Sequence, residues 1–129
     1  MNNDWTIDTV ILYKYAEFDA YALEFIQRIL RCQNFVVMDH EGNIDSQYRK
    51  CFLGIGPQAR HALNLWYTKI RKRFFSCSLM NDCKQRLAEL NFHNDDLPFV
   101  AVCLKSLNKK LVSTDSGYTG EIKHYLGEI

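Results

Sequence analysis

Leu111-Val112-Ser113-Thr114-Asp115 is a short apolar run that stops on two small hydroxyl residues and then on a carboxylate. Near the other end of the chain, Trp5-Thr6-Ile7-Asp8 has the same shape. Each stretch has strand character and delivers an aspartate. In a parallel sheet the C-terminal ends of such strands collect at one edge, where ligands bind. Separated carboxylates at that edge point to a hard cation.

Working outward from these two runs, strand-like and helix-like segments alternate, with no linker, repeat or low-complexity tract. Trp5 to Leu12 is apolar and β-branched and reads as a buried first strand. Asp19 is placed to cap a helix in which Ala22, Phe25, Ile26, Ile29 and Leu30 recur at helical spacing. Phe35-Val36-Val37-Met38-Asp39 reads as a second strand, Glu41-Gly42-Asn43 as a turn, and Ile44 to Phe52 as a short helix. The spacing predicts a longer helix from Gln58 to Arg73 and another over Asp82 to Leu90. Asn94 or Asp95 caps a helix through Phe99, Val100, Cys103 and Leu104, with Pro98 in its first turn, where a missing N–H costs least. Asn108-Lys109 then turns the chain into a strand over Lys110 to Ser113, and Tyr118 to Leu126 reads as a final helix. This alternation predicts an α/β domain with a parallel sheet of about four strands flanked by helices. Right-handed crossovers place Asp8, Asp39 and Asp115 on the same side.

Composition bounds the class. The 129 residues suit one domain spanning 1–129, and 47% hydrophobic content is ample for one core. No apolar run approaches the roughly 18 residues of a spanning helix, and Met1-Asn2-Asn3-Asp4 lacks the character of a signal peptide, so a cytoplasmic protein with no membrane partner is expected. The five cysteines, Cys32, Cys51, Cys77, Cys83 and Cys103, form no CxxC pair or Cys/His ligand spacing and read as reduced thiols. His40, His93 and His124 have no spacing that fixes a zinc site or a base, and structural roles are expected for them.

A net charge of +1 says little about partners, but Lys69, Arg71, Lys72 and Arg73 cluster directly before Phe74-Phe75. Such a cluster is either the solvated end of a helix or an edge that contacts phosphates. The acidic residues carry the sharper expectation. Mg²⁺ and Mn²⁺ prefer oxygen ligands, and Mg²⁺ is commonly held by one or two carboxylates while waters and substrate phosphate complete its octahedron. A cation so held polarises a phosphodiester and lowers the pKa of an attacking water, so no protein nucleophile is needed.

At these residues the chain resembles the PIN-domain ribonucleases, in particular a bacterial branch. Ile7-Asp8-Thr9-Val10-Ile11-Leu12 is similar to that family's opening strand, Asp96-Leu97-Pro98-Phe99-Val100-Ala101-Val102 to its third acidic position, and Leu111 to Asp115 to its last acidic strand end. Val37 through Tyr48 resembles the strand, turn and glutamate-tyrosine helix of the bacterial branch. One position departs: Gln47 stands where that branch carries glutamate, and offers a neutral carbonyl, with Asp45, Glu41 and Asp39 as the nearby acids. The chain also has little beyond 118–126 to supply the edge strand that the family often adds.

The resemblance implies a three-layer α/β/α fold and a Mg²⁺- or Mn²⁺-dependent endonuclease acting on single-stranded RNA, with single-stranded DNA as the alternative. It implies Asp8 and Asp115 as inner metal ligands and Asp96 as a ligand directly or through water, with Asp95 in reserve. Thr9 and Thr114 would orient water or a carboxylate, and Asp39 and Gln47 would support the site. Lys14, Arg49, Lys69, Arg71, Lys72 and Arg73 would contact the nucleic-acid backbone. A homodimer, a toxin or defence role, and an antitoxin-like inhibitory protein are contexts the family admits. Gln47 keeps a non-catalytic interaction or RNA-binding module open as an alternative. A receiver-type phosphoacceptor domain is a third reading, although its acidic pair belongs near the first strand and here the adjacent acids are Asp95-Asp96.

Overall fold

The computed structural model describes residues 3–31, 34–55, 60–107 and 109–113. Thr114, Asp115 and the helix expected over Tyr118 to Leu126 lie outside them, as does Cys32. In chain order the elements are β1 (Asn3–Ile7), α1 (Thr9–Ala16), α2 (Ala20–Arg31), β2 (Asn34–Asp39), α3 (Asn43–Ile55), α4 (Arg60–Lys69), β3 (Lys72–Phe75), α5 (Asn81–Glu89), a 3₁₀ turn (Asn94–Asp96), α6 (Leu97–Lys105) and β4 (Lys110–Val112). The strands form one all-parallel sheet in the order β3-β2-β1-β4, flanked by helices, as the alternation predicts. No helix among the described residues is long and apolar enough to cross a membrane.

β1 and β2 occupy the centre, with Trp5 opposite Val36 on one side and opposite Lys110 on the other. Val36, Val37, Met38 and Asp39 are all buried, the continuous burial expected of a parallel strand covered on both faces. Gly42 turns the chain out of β2 at φ +85, a left-handed conformation that favours glycine. α2 starts as its sequence dictates: the Asp19 carboxylate accepts the Ala22 N–H at 3.0 Å, and Ala22, Ile26 and Ile29 form the buried stripe.

Three expectations change, the first at the start of α6: Asn94 and Asp95 lie in the 3₁₀ turn, which His93 caps, and Asp96 precedes α6 without giving it a side-chain cap. The first strand ends at Ile7 rather than continuing to Leu12, because Asp8 caps a helix there, its Oδ1 accepting the Thr9 N–H at 2.7 Å. Within that helix Ile11, Leu12, Tyr15 and Ala16 share the buried face. Val10 to Leu12 is apolar in either conformation, so composition alone does not separate a buried helix from a buried strand. The helix expected to run to Arg73 stops at Lys69, and Lys72–Phe75 instead pairs with β2, Val36 opposite Lys72 and Asp39 opposite Phe75. The Arg71 carbonyl accepts the Val36 N–H at 2.8 Å, so the sheet captures this backbone before another helical turn forms.

The main core gathers Ile7, Leu12, Ile26, Met38, Tyr48, Phe52, Trp66 and Phe99. Tyr48 meets Trp66 edge-on at 5.8 Å and Phe99 at 6.1 Å between ring centroids, which ties α3, α4 and α6 together. In α6 five consecutive residues, Phe99 to Cys103, are buried, so this helix is covered on nearly all sides. A smaller cluster of Cys83, Leu87, Phe92 and Val100 seats α5 against it.

Candidate active edge and cleft

Asp8 and Asp39 stand at the C-terminal ends of the two central strands and are 3% and 2% exposed. Asp8 is held from two directions. Its Oδ1 takes the Thr9 N–H, and its Oδ2 accepts the Ser113 hydroxyl at 2.5 Å, while the Asp8 N–H donates to the Val112 carbonyl at 3.0 Å. The ends of β1 and β4 are therefore joined through this carboxylate and Ser113. Beneath it, the Tyr48 hydroxyl donates to the Ile7 carbonyl at 2.5 Å. Burial, with the nearby Asp8 charge, pushes the Tyr48 phenol well above its ordinary range and keeps it a neutral donor.

Asp39 has a different task. Its two oxygens accept the Asn43 and Ile44 N–H groups at 2.9 and 2.8 Å and so hold the first turn of α3. Beside it the Glu41 carboxylate accepts the Cys77 N–H at 2.9 Å and the Ser76 hydroxyl at 3.1 Å. Asp39, Glu41 and Cys77 bring one potential ligand atom each within 4.8 Å of one another. Their hydrogen bonds make this group a brace between the β2–α3 turn and the segment after β3.

The hydrogen bond from the Cys77 N–H holds the Glu41 carboxyl down at about 2, against an ordinary 4.5. A depressed folded-state pKa stabilises the fold above the ordinary value and ceases to do so as pH falls through the depressed one. Urea unfolding of wild type and Glu41→Gln should therefore differ by a constant amount above pH 4.5, and the difference should shrink as pH falls toward 2. A pH-independent difference would show that the carboxylate charge is not what holds the loop.

Gln47 completes the edge. The Thr9 hydroxyl donates to its Oε1 at 3.4 Å, and its Nε2 donates to the Asp95 carbonyl at 2.6 Å. A line of bonds thus runs from Asp8 through Thr9 and Gln47 to the 3₁₀ turn carrying Asp95 and Asp96. His93 serves that turn structurally, its Nδ1 accepting the Asp95 N–H at 3.2 Å. The Asp95 side chain is 79% exposed, whereas Asp96 is half-buried. Asp8, Thr9, Gln47 and the Asp95 backbone are brought together in this way.

The expected cations are not gathered there. Arg49 is bound to Asp45 at 2.9 Å and lies over the Tyr67 ring, with Lys72 over the same ring. Arg73 pairs with the buried Asp4 at 3.2 Å and covers Phe35. Lys69 and Arg71, with Arg31, line a recess of about 150 Å³ where the chain enters β3, at the edge of the sheet opposite Asp8 and Asp39. Lys14 falls in the last turn of α1, away from the capped end at Asp8.

Sequence reading missed two features of the edge. Ser113 appeared only as a small hydroxyl before Asp115, yet it is the direct partner of Asp8 across 105 positions. A cleft of about 660 Å³ also opens here, lined by Thr9, Ser46, Gln47, Lys50, Cys77 and Lys84 among others. Its rim is steadied by Lys105, whose Nζ donates to the Ser76 and Ser78 carbonyls at 2.7 Å each. Cys51 also faces the cleft, and burial pushes its thiol up to about 11, far from a reactive thiolate. The chain matches no protein-family model, and comparison with curated proteins and with solved structures returns no match.

Proposed function

We propose that this edge is the active edge of a metal-dependent endonuclease that hydrolyses phosphodiester bonds, with single-stranded RNA as its substrate, as the resemblance to PIN-domain ribonucleases implies. The observation that carries the reading is the Asp8 carboxylate, buried at the end of a central parallel strand and fixed by Thr9 and Ser113. The residues proposed as ligands carry donors that suit Mg²⁺ or Mn²⁺: the carboxylates of Asp8 and Asp96 and the Gln47 carbonyl, all of them oxygen. Asp115 is proposed as a third carboxylate. When bound, the cation supplies charge neutralisation at the phosphate and a water of lowered pKa. The chain's own residues supply position. Thr9 and Ser113 keep the Asp8 carboxylate in one orientation, and Gln47 holds the turn of Asp95 and Asp96 against the end of β1.

A second reading, a nucleic-acid-binding module without catalysis, is favoured by Gln47 itself. Both ends of its amide are engaged by neutral groups, Thr9 and the Asp95 carbonyl, an arrangement that needs no cation. Gln47→Glu separates the two. The new carboxylate loses the donor and faces a carbonyl at hydrogen-bond distance, so the variant should be destabilised by about 1–3 kcal/mol in EDTA. In the catalytic reading Mn²⁺ restores that loss and raises Tm more than it does in wild type. Equal Tm shifts in both proteins, together with absent Mn²⁺- or Mg²⁺-dependent cleavage of single-stranded RNA by wild type, would leave only the binding module.

A further inference from the structure

Lys50 and Lys84 stand on two walls of the 660 Å³ cleft, one from α3 and the other from α5. Both are exposed, and neither side chain has an ion pair or hydrogen-bond partner among the described residues. The other basic side chains expected to meet phosphate are occupied or distant: Arg49 and Arg73 are in ion pairs, and Lys69 and Arg71 lie at the far edge of the sheet. Lys84 also sits in the first turn of α5, where the helix dipole disfavours a cation, and Met80 at the cap gives no side-chain bond to that turn. Asp82 in the same turn offsets part of this charge. An anion seated between the two lysines would offset it further.

The rest of the lining says what kind of anion. Thr9, Asn43, Ser46 and Asn94 offer small polar groups, Leu97 and Pro98 offer apolar ones, Asp95 brings one carboxylate against the two lysines, and no aromatic side chain lines the cleft among the described residues. Stacking on aromatics is the usual means of gripping bases on a single strand. Without it, recognition falls to the backbone charge, which every sequence shares.

We infer that the cleft seats the sugar-phosphate backbone of a single-stranded nucleic acid, with Lys50 and Lys84 each neutralising a phosphate, and that it does so without preference for sequence. This rests on the proposal that the adjoining edge acts on nucleic acid, and it adds the path the strand takes and the manner of its recognition.

Fluorescence anisotropy of labelled single-stranded oligonucleotides, titrated with salt in EDTA, tests this without any need for cleavage. For single strands the slope of log K against log salt falls by roughly 0.7 for each phosphate contact removed. Lys50→Ala and Lys84→Ala should each lower the slope by that amount, and the pair by roughly 1.4. Lys69→Ala with Arg71→Ala should leave it unchanged, and an oligouridine and a mixed sequence should bind alike. Lys50→Gln and Lys84→Gln serve in place of any alanine variant whose Tm shows it misfolded. An unchanged slope in the cleft variants, a loss confined to the Lys69/Arg71 variant, or a strong sequence preference would overturn the inference while leaving the nuclease reading standing. A wild-type protein that binds no oligonucleotide would overturn both. Binding through the cleft lysines without cleavage in Mn²⁺ would uphold the inference and remove only the catalytic reading.

Discussion

Replacing Asp8 with Asn should abolish metal-dependent cleavage and leave a folded protein. The substitution keeps the size of a side chain that is 3% exposed, and the amide oxygen still accepts the Thr9 N–H. The new amide NH₂ faces the Ser113 hydroxyl, which turns to accept because a hydroxyl both donates and accepts. What is lost is the charge. Groups that merely orient a metal ligand are worth roughly 10–100-fold in affinity or activity, so losing a carboxylate proposed as the ligand itself should cost more than that. Ser113→Ala, which removes the orienting hydroxyl and keeps the carboxylate, should fall within that roughly 10–100-fold range. Initial cleavage rates in saturating Mn²⁺, read beside Tm, check both variants. A wild-type rate for Asp8→Asn would take this carboxylate out of the chemistry.

Phe99→Ala should be among the most damaging single core changes. Phe99 is fully buried in α6, against Tyr48 and within reach of the central strands. Truncation removes the ring and leaves a cavity that a close-packed surround fills only in part, a loss of about 3–5 kcal/mol. Domains of this size are stable by about 5–15 kcal/mol, so a large share of the total goes with one side chain. Urea unfolding should show a lower midpoint with an unchanged slope. Met80→Ala, at a side chain 78% exposed, should stay within about 0.5 kcal/mol of wild type. A Phe99 variant as stable as the Met80 variant would mean that α6 is not the centre of the packing.

Where a local rule was strong, the fold was legible. Asp19 with the repeat of Ala22, Ile26 and Ile29 states both the start and the inner face of α2, and Phe35 to Asp39 states a strand buried on both faces. Reading failed where two conformations bury the same residues. Val10 to Leu12 is apolar as strand or helix, and the decision rests with the Asp8 cap. The basic cluster failed for another reason: Lys69 to Arg73 looks like one helical patch, but pairing of Lys72–Phe75 with β2 splits it and carries it to the far edge.

The candidate site divides in the same way. Its acids were legible because a carboxylate after an apolar strand is a local pattern, and the parallel sheet that follows from alternating elements sets Asp8 and Asp39 on one edge. Their separate tasks were not. Asp39 turned out to hold α3, and nothing within its own segment distinguishes it from Asp8. By itself the sequence determined the alternation of strands and helices, apart from α1 and β3, and the edge at which carboxylates collect, since propensity, capping and periodicity act over a few residues. Only the tertiary structure decided that Ser113 orients Asp8, that Gln47 ties Thr9 to the Asp95 turn, and that Lys50 and Lys84 share a cleft. Those contacts join residues far apart along the chain, and their geometry exists only once the sheet has closed and the helices have packed upon it.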